Sequence, residues 1–371
     1  MRIKVLHIIK SLGRGGAEVL LPETLALHDQ NKFEFHYVYF LPWKDQMVDI
    51  IKEQGGKVTC IPANNNLELI RKVGEVVEYC DKEKIDILHC HLPWSGFLGR
   101  RVFSKTKIPV VYTEHNIQER YHWATKFVNK YTFNFQSMAL GVSNDVTKSI
   151  KENIDPAIPV ETLLNGVNTA NFKRDTAKGK SLKHHLGIPE ESYVIGNIAV
   201  FREQKNLLDW VRAFHRINKN YPSIYGILVG AGPKEKEIKD LVDELKLSEK
   251  IFFPGLQEDT IPYFSAMDIF MLSSAFEGLP IALLEAMSMK CAVVSTKAGG
   301  VVEAVRHNKE GLLCEPGDWE MLAENVQNLI QHPEKRVKIQ EFARERVLQN
   351  FSLLEMVRSL EQRYFKIYNG N

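Results

Sequence analysis

One pattern constrains this chain more than any other: a continuous apolar run, a loop and a helical segment begin at Ile3–Ile9 and begin again at Tyr193–Val200. Apolar runs without alternation are buried on both faces, as strands of a parallel sheet are. After the first start, further strands are expected at 33–40, 56–62, 86–91, 108–115, 138–143 and 161–167. After the second they are expected at 224–230, 250–254, 269–274, 292–296 and 311–314. Helical segments such as 17–29, 66–84, 144–153 and 207–220 lie between them. Strands that alternate with helices give a parallel sheet with helices on both faces. The fold class is therefore α/β, with two Rossmann-like parallel-sheet domains facing a central cleft. The first spans 1–167 and the second 168–350. The polar stretch 168–183 reads as the connection. In 351–371, Leu353, Leu354, Val357, Leu360, Tyr364 and Ile367 recur at helical spacing, so this helix is expected to pack back on the first domain. Ligands of such sheets bind at the carboxyl ends of the strands.

The 371 residues suit two domains. A net charge of +2 gives no electrostatic footprint for nucleic acid, and no nucleic-acid partner is expected. The five cysteines contain no CxxC pair and read as reduced thiols of a cytoplasmic protein. The N-terminal apolar run is too short for a signal peptide, and no run reaches the ~18–20 residues that span a bilayer.

The segment Ser274–Met287 carries the strongest chemical signal. Glu277 and Glu285 stand on either side of Gly278-Leu279-Pro280-Ile281. Pro280 suits a first helical turn and Gly278 a loop conformation that other residues avoid. Free amides at that helix start would bind a diphosphate, and a carboxylate at each end could hold a sugar and a ribose. The plain alternative is that Glu277 caps the helix and Glu285 is solvated. Arg202 and Lys205 follow the first strand of the second half; they are either a solvated helix start or two cations for a diphosphate leaving group. Gly13-Arg-Gly15-Gly16 is either a tight turn or a close approach to phosphate or sugar, and it is not a dinucleotide fingerprint. His89 and His91 share a strand face, which raises a metal. No third ligand has suitable spacing, and no Asp-x-Asp motif is present, so no metal and no cofactor are expected. His115 reads as a sugar-binding group or a structural histidine.

Together with Asn165–Asn168, Leu228–Pro233 and Phe253–Gly255, these motifs resemble family 4 of the retaining glycosyltransferases, of GT-B fold, from Val5 to about His307. The resemblance implies transfer of a sugar from a nucleoside diphosphate sugar to a glycan or lipid-linked acceptor, most often without metal. It implies an acceptor-side first domain and a donor-binding second domain. Gly15 and Gly16 would approach the donor phosphate and sugar, and Arg202 and Lys205 would bind the diphosphate. Glu277 would hold sugar hydroxyls nearest the reacting centre, the Gly278-Leu279-Pro280-Ile281 loop phosphate, Glu285 the ribose, and His115 would lie beside the sugar. Two positions depart from the family pattern: Phe201 stands where a glycine is usual, and Phe276 precedes Glu277. An epimerase of nucleotide sugars and a silent nucleotide-sugar-binding subunit are the alternatives.

Within 119–135, Trp123, Phe127, Tyr131 and Phe135 recur every four residues with Lys126 and Lys130 between them. That pattern fits peripheral contact with the inner face of a membrane, or an ordinary packed helix.

Overall fold

In chain order the elements are β1 (Ile3–Ile8), α1 (Gly16–Leu25), β2 (Phe33–Tyr39), α2 (Val48–Glu53), β3 (Lys57–Cys60), α3 (Asn66–Arg71), α4 (Val73–Glu83), β4 (Ile87–His91), α5 (Leu92–Thr106), β5 (Val110–Glu114), α6 (Trp123–Thr132), β6 (Met138–Gly141), α7 (Asn144–Ile154) and β7 (Val160–Thr162). There follow α8 (Thr176–His185), β8 (Val194–Ile198), α9 (Leu207–Asn220), β9 (Tyr225–Val229), α10 (Glu235–Glu244), β10 (Ile251–Gly255), α11 (Ile261–Ala266), β11 (Ile269–Leu272), α12 (Ile281–Ser288), β12 (Ala292–Thr296), α13 (Val301–Ala304), β13 (Gly311–Cys314), α14 (Trp319–Gln331), α15 (Pro333–Asn350) and α16 (Leu353–Tyr368). The structure, a computed structural model, describes residues 2–370; Met1 and Asn371, the ends of the sequence-assigned spans, lie outside them. The chain divides into two units, one of Met1–Asn165 with Leu353–Asn371 and one of Gly166–Ser352.

The first unit holds a seven-stranded sheet ordered β3-β2-β1-β4-β5-β6-β7, and the second a six-stranded sheet ordered β10-β9-β8-β11-β12-β13. Every named pair is parallel. Each is a Rossmann-like α/β layer structure, so the fold class read from the alternating pattern is the one observed. The apolar runs are explained by burial on both faces. In the first unit, Leu6, Leu88 and Val110 enter one core, and their strand neighbours Val5, Ile87 and Val111 enter another. In the second, Ile195, Leu228, Met271 and Val294 pack under Trp210, Phe214 and Leu322.

The last helix completes the first unit. Leu360 and Tyr364 of α16 join its core. Glu361 accepts from the Asp29 N–H at 2.8 Å and meets His28 Nδ1 at 2.9 Å. Tyr364 Oη lies 2.5 Å from His89 Nδ1.

Two stretches differ from their sequence reading. The supposed connection 168–183 contains most of α8, capped by Asp175, whose side chain accepts from the Lys178 N–H at 3.0 Å. Its buried residue is Gly179, where a Cβ would stand 2.7 Å from the Ser265 carbonyl oxygen. Close backbone packing through a glycine leaves no apolar stripe to read. The segment 66–84 is two helices, because the chain leaves helical geometry at Lys72.

The first unit's core also buries histidines. Burial holds His7 and His91 well below the usual imidazole range and pushes His89 down to about 3. A base whose pKa is depressed by folding stays neutral in the native state while the unfolded chain protonates below about 6.5. Stability is therefore full above that pH and lost as the pH falls towards the folded values. At pH 5 the loss is about 2 kcal/mol for His89 alone. Hydrogen exchange at pH 7.5 and pH 5 should show β1, β4 and β5 losing protection at the lower pH well before β8, β11 and β12. Equal loss in both sheets would contradict it.

Candidate active site

In the second unit the strand order reverses between β8 and β11, which are neighbours although β9 and β10 intervene in sequence. Ligand sites of open α/β sheets lie at such a switch, beyond the carboxyl ends of the strands. Both charged motifs sit there. After β8 the chain makes a 3-10 turn, Glu203–Lys205, preceded by exposed Arg202. The loop after β11 fixes this turn. Ser273 Oγ donates to the carbonyls of Lys205 and Asn206, each at 3.0 Å. The Ala275 N–H donates to the Gln204 carbonyl at 2.8 Å.

Lys205 Nζ is thereby brought to 2.6 Å from Glu277 Oε1, which also accepts from Ser274 Oγ at 2.6 Å. Glu277 is only 6% exposed, so these partners stand in for the water its carboxylate has lost. Gly278, Leu279, Pro280 and Ile281 are buried beside it. Pro280 is the N-cap of α12 and not its first helical residue; its ψ of 123° is extended. The helix starts one residue later; the Leu283 and Leu284 amides reach back to the Pro280 carbonyl at 3.2 and 3.4 Å, and the Ile281 and Ala282 amides precede the first intrahelical bond. Glu285, in the middle of α12, is 8% exposed, which overturns the solvated alternative. Glu277 is an ion-pair partner and not a helix cap, and the site gathers Lys205, Ser274, Glu277 and the start of α12. The sequence reading assigned no role to Ser273 or Ser274, although both adjoin the motif.

The other assigned residues belong to the first unit. Gly15 is the N-cap of α1 and Gly16, exposed, its first residue. A Cβ on Gly15 would stand 2.3 Å from the Glu18 carboxylate. Ser11 Oγ donates to that carboxylate at 3.0 Å, so a side chain at Gly15 would displace an anchored group. His115 follows β5; the residue is half-buried, its enclosed Nε2 has no protein partner, and burial pushes it down to about 4. The turn that carries it is held by Glu114. That carboxylate accepts from the His115 N–H at 2.9 Å, the Asn116 N–H at 3.2 Å, Tyr121 Oη at 2.5 Å, Tyr112 Oη at 2.6 Å and Gln118 Nε2 at 3.0 Å. Burial pushes the Glu114 carboxyl up, and these donors pull it back.

A third histidine, from β1, joins His89 and His91. One ligand atom each of His7, His89 and His91 lies within 4.8 Å of the others. Spacing along the sequence could not reveal it, because parallel pairing sets His7 opposite His89 from 82 residues away. His7 Nδ1 lies 2.9 Å from His91 Nε2, with ring planes 12° apart. That is a hydrogen bond between two neutral imidazoles; two nitrogens on a tetrahedral zinc stand roughly 3.3 Å apart, from Zn–N bonds of ~2.0–2.1 Å. His89 is engaged on both ring nitrogens, by Tyr364 and by Thr113 Oγ1 at 2.7 Å.

The aromatic stripe lies on α6, and α6 is inverted. Its buried residue is Asn129, while Trp123, Phe127, Tyr131 and, just beyond the helix, Phe135 are 73%, 58%, 66% and 51% exposed. Lys126 and Lys130 are exposed with them. The packed-helix alternative is overturned. Among the described residues no helix is long and apolar enough to cross a membrane. All five cysteines are free thiols.

Comparison with known proteins covers both units. The family model described as glycosyl transferases group 1 matches 180–346, and that described as glycosyltransferase family 4 matches 14–171. N-acetyl-alpha-D-glucosaminyl L-malate synthase of Bacillus anthracis is 28% identical over 310 residues, 81% of this chain and 79% of its own. The alpha-monoglucosyldiacylglycerol synthase of Acholeplasma laidlawii is 26% identical, covering 72% of each chain. The UDP-Gal:alpha-D-GlcNAc-diphosphoundecaprenol alpha-1,3-galactosyltransferase of Escherichia coli is 24% identical over 98% of this chain and 97% of its own. Among solved structures, Anabaena Alr3699/HepE in complex with UDP-glucose superposes with a TM-score of 0.89 at 21% identity, over 98% of this chain and 100% of its own.

The ion pair makes a prediction of its own. Lys205→Ala leaves a buried carboxylate with only Ser274, and should cost about 1–3 kcal/mol in urea denaturation. Exposed Arg202→Ala should stay within about 0.5 kcal/mol of the parent. Adding Glu277→Gln to Lys205→Ala should recover most of the loss. Equal losses for Lys205→Ala and Arg202→Ala would show that the pair does not hold the loop.

Proposed function

The chain belongs to the group 1 glycosyltransferases of family 4, and from that premise we propose that it transfers a sugar from a nucleoside diphosphate sugar to an acceptor hydroxyl, with retention of anomeric configuration and without a metal, in the assembly of a cell-surface polysaccharide or glycolipid. The observation that carries this reading is the Lys205–Glu277–Ser274 group beside the start of α12. As the glycosidic bond breaks, charge develops on the departing diphosphate. Lys205, Arg202 and the first-turn amides of α12 supply fixed positive charge for it, the role a metal plays elsewhere. Glu277 uses Oε1 for Lys205 and Ser274, leaving Oε2 for a sugar hydroxyl. The Gly278-Leu279-Pro280-Ile281 loop takes phosphate, and Glu285, half-way along α12, takes the ribose. Gly15, Gly16 and His115 are the first unit's contributions, His115 as a neutral imidazole for the sugar.

The relatives' names support a UDP sugar as the donor to try first, since one is named for UDP-Gal and one was solved with UDP-glucose. They also support a lipid-linked acceptor, because one acts on a diphosphoundecaprenol sugar and another makes a glucosylated diacylglycerol. We infer that the aromatic face of α6, over 119–135, rests on the inner face of the membrane with Lys126 and Lys130 against anionic headgroups.

A panel of UDP, GDP and ADP sugars, in EDTA, should raise the Tm with one nucleotide class. At ~100 times the dissociation constant the added stability is about 2.7 kcal/mol. Nucleotide release should then require an acceptor extract, persist in EDTA, and fall ~10²–10³-fold in Lys205→Ala. A near-normal rate in that variant would remove Lys205 from the mechanism, and release that stops in EDTA would remove the metal-free reading.

On the membrane side, the protein should float with phosphatidylglycerol vesicles at low salt. The Trp123→Ser, Phe127→Ser, Tyr131→Ser triple variant should stay in the dense fraction with its Tm unchanged, since all three side chains are exposed. Failure of the parent protein to float at low salt would end this reading.

A further inference from the structure

The first unit buries a cation and an anion that do not touch. Arg100 and Glu114 are each about 1% exposed or less. Arg100 lies over the rings of Phe97, Tyr112 and Phe133, 4.8–5.6 Å from their centroids. Its Nη1 donates to Asn129 Oδ1 at 2.8 Å; Asn129 Nδ2 donates to Gln118 Oε1 at 2.8 Å; Gln118 Nε2 donates to Glu114 Oε2 at 3.0 Å.

This chain has one direction. A guanidinium only donates, so Asn129 must turn its oxygen to Arg100 and its nitrogen to Gln118. Gln118 must then turn its oxygen to Asn129 and its nitrogen to residue 114. On the far side, residue 114 faces the main-chain amides of His115 and Asn116, which also only donate. The position therefore needs a group that accepts on both sides, and an ionised carboxylate is that group. A glutamine has one oxygen for two sets of donors. Flipping Gln118 and Asn129 to accommodate it would set an amide nitrogen against Arg100.

We propose that Glu114 is a positioning residue of the transfer site: its carboxylate sets the main-chain turn that aims the His115 ring, and Arg100, through Asn129 and Gln118, fixes which way that carboxylate must act. This rests on the reading of His115 as a group that meets the donor sugar. The same chain pins Asn129, the buried residue of α6, so one network holds both the aromatic helix and the His115 turn.

The test uses the full-length chain with carbon-13 histidine, the His115 ring signal being assigned by its loss in His115→Gln. In Glu114→Gln the His115 signal should move while those of His7, His89 and His91 stay. In Arg100→Met with Glu114→Gln it should return, because removing the one-way donor lets the two amides turn round and frees the oxygen of the substituted side chain for the His115 and Asn116 amides. With UDP-glucose as donor, kcat for UDP release should fall ~10²-fold in Glu114→Gln with KM changed less than about twofold, and recover in the double variant. A purely structural Glu114 would instead give stability losses that add between the two substitutions. A His115 signal that stays in place in Glu114→Gln, or a double variant no better than the single one, overturns the proposal. If Glu114→Gln does not fold, Gln118→Met replaces it: the His115 signal should shift in that variant, and a fixed signal is equally fatal. If the parent protein does not turn over UDP-glucose, the donor assignment fails while the ring signals still decide the role of Glu114.

Discussion

The second unit depends on satisfying one buried carboxylate. Glu277 is almost fully enclosed, and its lysine partner is 72 residues away in sequence. The two meet because β8 and β11 are neighbours in the sheet and because two hydrogen bonds from Ser273 lock the Lys205 turn onto the end of β11. Without that pairing the carboxylate would keep only Ser274 in a desolvated loop, a penalty of about 1–3 kcal/mol. The turn after β8 and the loop after β11 are held against one another around this group. The arrangement also explains why the motif has serines on its N-terminal side. Ser274 adds a second donor to Glu277, and Thr296 Oγ1 donates to the Ser274 carbonyl at 2.6 Å, tying the loop to β12.

The first unit handles buried charge differently. Arg100 and Glu114 do not touch; they are joined through the Asn129 and Gln118 amides, which polarise in one direction between cation and anion, and through Tyr112, whose ring lies under Arg100 and whose hydroxyl donates to Glu114. Glu114 collects five donors and no direct cation, whereas Glu277 takes a lysine and one hydroxyl. A carboxylate that can exchange its lysine for a ligand suits a binding loop. One that is fully buried and saturated by two main-chain amides, two tyrosine hydroxyls and a glutamine suits a support. The histidines differ in how far they are engaged, and His7 and His91 each keep one unpartnered ring nitrogen. His89 is used up by Tyr364 and Thr113, but His115 keeps an unpartnered ring nitrogen.

Much of this was legible in the sequence, for a simple reason. In a parallel sheet buried on both faces each strand is a bare apolar run, and ligands of such sheets bind beyond its carboxyl end. Arg202, Lys205, Glu277, Glu285 and His115 were singled out by reading what stands after β8, β11 and β5 or on the helix that follows, and that is where the structure places them. What escaped needed three dimensions. The third histidine comes from β1 and meets β4 only through strand register. Helix α8 hides in a polar stretch because it packs through Gly179 against a carbonyl. Pro280 caps α12 from outside because its fixed φ tolerates both the cap and the first helical position, and ψ alone decides between them. The one-way run of amides from Arg100 to Glu114 is invisible as spacing, since its members are scattered over three elements and a loop.

Helix α6 shows why patterning alone could not separate its two readings. Aromatic residues every four positions with lysines between describe one amphipathic helix, and the sequence does not say which face is inside. Burial of apolar area normally decides, at about 25 cal/mol per Å². Here the inner face is fixed by Asn129, which bridges Arg100 and Gln118, and turning the helix to bury Trp123, Phe127 and Tyr131 would break that bridge. Thr132, on the same helix, also accepts from Arg100, at 3.0 Å, so turning α6 would take two of the guanidinium's acceptors and leave it Gln136. The inner face of α6 is thus the one that carries the acceptors for Arg100, and the aromatic residues lie on the other.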